Sequence, residues 1–137
     1  MPGVLIDSNV LLDVLTEDPR WFEWSSDALR RCGEDSVLII NPIIYLEVSI
    51  RFKSIEEVED ALPRSMFERH DIPWEAAFLA GKCFVKYRRA GGQKRVRLPD
   101  FFIGAHAAVK KLDLLTRDTT RYAIYFPTVR LIAPGKS

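Results

Sequence analysis

Four acidic residues occupy places from which a chain can aim a carboxylate. Asp7 follows the apolar run "VLI", Asp118 follows "DLLT", Asp100 comes directly after Pro99 at a helix start, and Glu47 lies inside "IIYLEVSIRF". One helical turn from Glu47 stand Ile43, Ile44 and Ile50, so that face is apolar and a carboxylate on it is partly buried. Such burial is costly unless something compensates the charge. Taken singly, each Asp is explained as a helix N-cap, and Glu47 as the partner of an arginine or as a residue at the edge of its face. Taken together, four carboxylates converging on one point repel one another, and a divalent cation relieves that repulsion. Hard oxygen ligands without paired His or Cys point to magnesium or manganese. Ions held this way bind a phosphodiester and activate water.

Charge is distributed to match. The net charge is +1, yet no Asp or Glu occurs from Ala76 to Pro99, a stretch holding Lys82, Lys86, Arg88, Arg89, Lys94, Arg95 and Arg97. With the four site carboxylates set aside, 15 acids face 20 bases. This one-sided segment leads into Asp100, as a phosphate-binding surface beside the chemistry would. A solvated helix face and a polar loop is the competing account. Tyr87 offers a ring for an unpaired base or simple packing. Asp13 reads as solvated, His106 as a hydrogen-bonded helix histidine, His70 as surface, and Trp21 and Trp24 as core.

Short apolar strands alternating with helices must carry these residues. Strands are expected at Val4–Ile6, Val37–Ile40, Phe67–Ile72, Asp113–Thr116 and Val129–Ile132. A helix follows Asp7. Asp18-Pro19 starts another that ends near Cys32-Gly33, and Asn41-Pro42 starts a third. "SIEE" at 54–57 is a capping-box pattern. Pro73 opens a long helix with Ala77, Phe78, Gly81, Phe84 and Val85 inward, ended by Gly91-Gly92. Helices also run over Phe101–Leu112 and Thr119–Phe126. The alternation predicts an α/β fold, a three-layer α/β/α sandwich around a mainly parallel sheet, with residues 1–137 as one domain. At 137 residues and 47% apolar content the chain supports one core. No apolar run approaches a membrane span. Met1-Pro2-Gly3 lacks a basic n-region, and Cys32 and Cys83 have no metal spacing, so a cytoplasmic protein with reduced thiols is expected.

Four segments in order, "LIDSNVLLDVL", "NPIIYLEV", "LPDFFIGAHA" and "LLTRDTTRYAIYFPTVRLIAP", give the chain a family likeness along nearly its whole length. It resembles the PIN-domain nucleases and, within them, the VapC-type toxins of toxin–antitoxin pairs. The resemblance implies that Asp7, Glu47, Asp100 and Asp118 are the acidic residues of a Mg2+- or Mn2+-dependent endoribonuclease. Ser8, Asn9 and Thr116 match the small polar positions that orient those acids. It further implies an RNA substrate, a 5′-phosphate and 3′-hydroxyl at the cut, a homodimer, and a small antitoxin partner; the basic segment read above, Lys86, Arg88, Arg89, Lys94, Arg95 and Arg97, is where that RNA is expected to bind. The fourth acidic position is the most variable in the family, and some relatives carry further acids around it, where this chain has Thr119 and Thr120. Two other PIN roles compete: RNA maturation, and a non-catalytic module binding RNA or protein. The latter is expected to lack one or more of the acids. A nucleotide-binding α/β domain would need a Gly-rich loop after the first strand, and residues 7–12 contain no glycine.

Overall fold

Val4, Leu5 and Ile6 are at most 1% exposed, which is why the first strand reads as an unbroken apolar run: it is covered on both faces. The structure, a computed structural model describing residues 2–92 and 96–135, places this strand, β1 (Gly3–Ile6), at the centre of a five-stranded parallel sheet. β1 pairs with β2 (Val37–Ile40) on one side and β4 (Asp113–Leu115) on the other. β3 (Glu68–Arg69) and β5 (Leu131–Ile132) form the edges, in the order β3-β2-β1-β4-β5. The chain moves from β1 out to β3, then crosses back to β4. Right-handed crossovers therefore put the helices on opposite faces: α1 (Ser8–Leu15), α2 (Phe22–Asp35), α3 (Pro42–Ser49) and α4 (Ile55–Ala61) on one, α5 (Trp74–Arg89) and α6 (Leu98–Lys110) on the other. The reversal leaves a crevice beyond the carboxyl ends of β1 and β4, where open α/β sheets bind ligands.

The expected α/β sandwich is thus observed, with local corrections. The edge strand β3 is shorter than the expected Phe67–Ile72: only Glu68 and Arg69 pair, with Ile39 and Ile40 of β2. Asp18 does not open α2. Its carboxylate accepts from the Arg20 and Trp21 amides at 2.8 and 2.9 Å, closing a turn ahead of a helix that begins at Phe22. That helix runs through Gly33 to Asp35. The fully buried residues of α5 are Ala76, Ala80 and Cys83, and Phe84 packs edge-on against Phe101 as expected, while Phe78 and Val85 are exposed. The small residues let α5 pack closely on α6, with Phe84 and Tyr87 closing on Phe101 beside them. Gly104 in α6 makes room for the segment between β4 and β5: a Cβ there would lie 2.3 Å from the Phe126 ring. Only Thr119–Arg121 of the expected Thr119–Phe126 helix forms, as a 3-10 turn, and Pro127 disfavours helical backbone at Phe126. Cys32 and Cys83 are buried free thiols. Among the described residues no helix is long and apolar enough to cross a membrane.

Candidate active site

Asp7 occupies the N-cap position of α1 with extended backbone, but its side chain makes no capping hydrogen bond. The carboxylate turns inward and is fully buried. Its Oδ2 accepts from the Thr116 hydroxyl at 2.9 Å and the Tyr122 hydroxyl at 2.7 Å. Burial raises its pKa, against the opposing pull of those two hydroxyls and of Arg121. Thr116, just past β4, is itself clamped. Its Oγ1 accepts from Asn9 Nδ2 at 3.3 Å and from the Asp118 amide at 3.1 Å. Asn9 Oδ1 in turn accepts from the Arg117 amide at 3.4 Å. Ser8 faces the other way, donating to Glu47 Oε1 at 2.8 Å.

Glu47 reaches the crevice because α3 starts at the end of β2, where Asn41 Oδ1 caps the Ile44 amide at 2.9 Å and Pro42 supplies a preset φ. Ile44 and Val48 enter the core, and Glu47 beside them is 7% exposed. Its Oε2 accepts from Arg97 Nη2 at 2.9 Å. Burial raises the Glu47 pKa, Ser8 opposes this, and Asp7 and Asp100 add to it. Asp100, in the first turn of α6, receives the Arg97 amide on Oδ2 at 2.9 Å. Its Oδ1 is buried with no hydrogen-bond partner, and Arg121 Nη1 is 3.6 Å away. Burial pushes the Asp100 pKa up, and Asp7 adds to the rise. Asp7, Glu47 and Asp100 therefore share one electrostatic environment.

Asp118 stands apart from that group. It caps the 3-10 turn through the Thr120 amide and hydroxyl, at 3.2 and 2.7 Å, and binds Arg121 Nε at 2.9 Å. Burial acts to lower the Arg121 pKa, but Asp100, Asp118 and Asp7 together hold it above the ordinary arginine value. Burial and the nearby Asp7 and Asp100 charges push the Tyr122 phenol well above its usual range. Arg121 and Tyr122 were not singled out from the sequence, where "RYAIYF" looks like ordinary helix; no local signal marks them.

Asp13 is corrected from solvated to buried, at 2% exposure. It accepts from the Ser25 hydroxyl at 2.7 Å and Arg117 Nε at 2.8 Å. The side of α1 facing away from Asp7 meets α2, not water. His106 is the expected helix histidine. Its Nδ1 lies 3.0 Å from Asn41 Nδ2, and burial lowers its pKa to about 4. His70 lies 2.8 Å from Glu68. Tyr87 packs among Phe84, Phe101 and Tyr125 and donates to the Gly92 carbonyl at 2.8 Å, which favours its packing role. Lys86, Arg88 and Arg89 are exposed, and Arg97 is tied to Glu47. Lys94 and Arg95 lie outside the described residues.

Among the described residues, no three His, Cys, Asp or Glu side chains already stand at shared metal-binding distances. The chemistry of the donors nevertheless fits a hard divalent ion. They are all carboxylate oxygens, they are crowded and buried, and Asp100 Oδ1 lacks a hydrogen-bond partner.

A family model of the PIN domain matches residues 4–127. The fold is similar to that of VapBC2 from Rickettsia felis bound to a promoter DNA fragment, with TM-score 0.74, 17% identity, and coverage of 96% of this chain and 98% of that one. A toxin–antitoxin complex from Klebsiella pneumoniae gives 0.70 at 22% identity, covering 98% and 99%. VapBC from Salmonella typhimurium bound to DNA gives 0.70 at 17%, covering 97% and 98%. No curated protein matches.

Proposed function

The chain belongs to the PIN domain family, and from that premise we propose that it is a metal-dependent endoribonuclease serving as the toxin of a toxin–antitoxin pair. The observation that carries the chemistry is the buried group Asp7, Glu47 and Asp100, in which Asp100 Oδ1 has no hydrogen-bond partner. Asp7 and Asp100 would hold Mg2+ or Mn2+, and Glu47 would bind the ion or orient its water. Such an ion supplies an activated water and offsets charge building on the scissile phosphate. Ser8, Asn9 and Thr116 keep the carboxylates oriented through the hydrogen bonds described above. Asp118, partly exposed and paired with Arg121, would support a second ion or hold a coordinated water. Lys86, Arg88, Arg89 and Arg97 bind RNA phosphates, with Lys94 and Arg95 adjoining them in sequence. Such contacts give affinity without sequence selectivity.

The toxin role rests on the likeness to VapBC complexes, from which a cognate antitoxin and a homodimer of single-domain chains (residues 1–137) in the cytoplasm follow as parts of the proposal. The test is cleavage of a mixed cellular RNA pool in Mg2+ or Mn2+ and in chelator, with folded Asp7→Asn and Asp100→Asn proteins alongside. Metal-dependent cutting lost in both variants supports the proposal. Folded wild type that cuts nothing, or variants that cut as well as wild type, overturns it and favours a binding module. Growth arrest on induction, relieved by co-expressing a small DNA-binding protein encoded beside it, separates a toxin from an RNA-maturation enzyme.

A further inference from the structure

We infer that Tyr122 is a positioning residue for Asp7, fixing which carboxylate oxygen faces the crevice. This deepens the nuclease proposal and rests on it. Two hydroxyls, from Tyr122 at 2.7 Å and Thr116 at 2.9 Å, donate to the same atom, Oδ2. The other oxygen, Oδ1, has Ser8 Oγ at 3.5 Å, while the single proton of that hydroxyl has its short bond to Glu47 at 2.8 Å. The Ser8 amide also acts on the carboxylate, but both hydroxyl bonds fall on Oδ2, which leaves Oδ1 the less tied oxygen, beside the Ser8 hydroxyl that reaches Glu47. A carboxylate free to rotate would divide its charge between two orientations. One held on Oδ2 by two donors keeps Oδ1 aimed, as partners of ligating carboxylates do elsewhere.

Tyr122 suits this task because of where its ring is held. It is fully buried and is the bulkiest of the completely enclosed side chains. The 3-10 turn before it is capped by Asp118, and the Tyr122 amide closes the turn on the Thr119 carbonyl at 3.2 Å. The Phe126 amide then donates to the Tyr122 carbonyl at 2.9 Å. Backbone on both sides is anchored, so the hydroxyl arrives at Asp7 from a fixed direction. Asp118 acts on Asp7 through this turn as well as through Arg121.

The Tyr122→Phe substitution tests the assignment, since it removes one oxygen and leaves the ring. The main readout is binding of Mn2+ alone, followed by calorimetry and by the free-ion paramagnetic resonance signal, on protein whose fold is checked by circular dichroism. The expected result is binding weakened by about tenfold or more, with kcat for RNA cleavage lowered and KM little changed. A folded Tyr122→Phe protein that binds Mn2+ as tightly as wild type overturns the inference and leaves the nuclease proposal standing. Wild type that binds no Mn2+ overturns the metal site itself, and this inference with it. A second measurement needs no variant: Mg2+, which is spectroscopically silent, should produce a tyrosine absorbance difference band in wild type as the charge on Asp7 is shared. Absence of that band in Mn2+-competent protein counts against the assignment.

Discussion

Replacing Arg117 by Met removes the guanidinium both from Asp13 and from its place over the Trp21 ring, while keeping an apolar stem of similar length. The guanidinium carbon is 5.5 Å from the centre of that ring, so Ala would confound lost charge with lost packing. Asp13 is 2% exposed and would retain only the Ser25 hydroxyl at 2.7 Å. Removing one partner of a fully buried pair costs about 3–5 kcal/mol. Here the Arg117 side chain is 32% exposed, so water reaches part of the vacated space, and the Ser25 bond survives. Those two facts place the cost lower, at about 2 kcal/mol. For a domain of this length, that lowers Tm by roughly 7 °C. Thermal and urea unfolding of wild type, Arg117→Met, Asp13→Leu and the double variant would measure it. The double should cost less than the sum of the singles by about 1 kcal/mol or more, because it leaves no buried charge unpaired. An Arg117→Met protein melting within about 1 °C of wild type, or a strictly additive cycle, refutes the argument that this pair is a buried structural unit.

Three further outcomes follow from the same geometry. Gly104→Ala drives a methyl into the Phe126 ring, where the space is 2.3 Å; overpacking of about 1–3 kcal/mol outweighs the helix-propensity gain of about 1 kcal/mol, and Tm should fall by several degrees in a melting experiment. His106 has a folded pKa of about 4 against 6.5 unfolded, so its stabilising contribution is complete above pH 6.5 and is lost as pH falls toward 4; between pH 7 and pH 4.5 wild type should lose about 2 kcal/mol more than His106→Gln in urea titrations. Equal losses in the two proteins would contradict a buried, neutral His106. Replacing Lys86, Arg88 and Arg89 together by Gln should weaken RNA binding at low salt and reduce the log–log salt slope by about 2, at roughly 0.7 per single-strand phosphate contact; an unchanged slope in filter-binding assays would move the RNA surface elsewhere.

What the sequence by itself determined is what a few neighbouring residues decide. Val4–Ile6 is apolar without alternation, so it is a strand covered on both faces. Ser54 and Glu57 form their capping box, with the Glu57 amide donating to Ser54 Oγ at 3.2 Å, because both partners lie within one helical turn. Asn41-Pro42 starts α3 for the same local reason. The order of such elements was enough for the α/β sandwich, and the spacing of four acids was enough to suggest a shared site. Only the tertiary structure decided which role each acid has. A capping Asp and an inward-facing Asp need the same extended backbone, so Asp7 could not be separated from Asp118 by local pattern. Asp7 is turned inward by Thr116 and Tyr122, which lie 109 and 115 residues away along the chain, whereas Asp118 is held by Thr120, two residues on. The packed face of α5 is only partly legible, with Phe84 inward but Phe78 and Val85 exposed, and the Asp13 side of α1 is not legible, because helical periodicity shows that a face exists while its direction depends on the neighbour it meets. Ala76, Ala80 and Cys83 face inward because α6 comes close, and Asp13 is buried because α2 brings Ser25 to it and the segment after β4 brings Arg117.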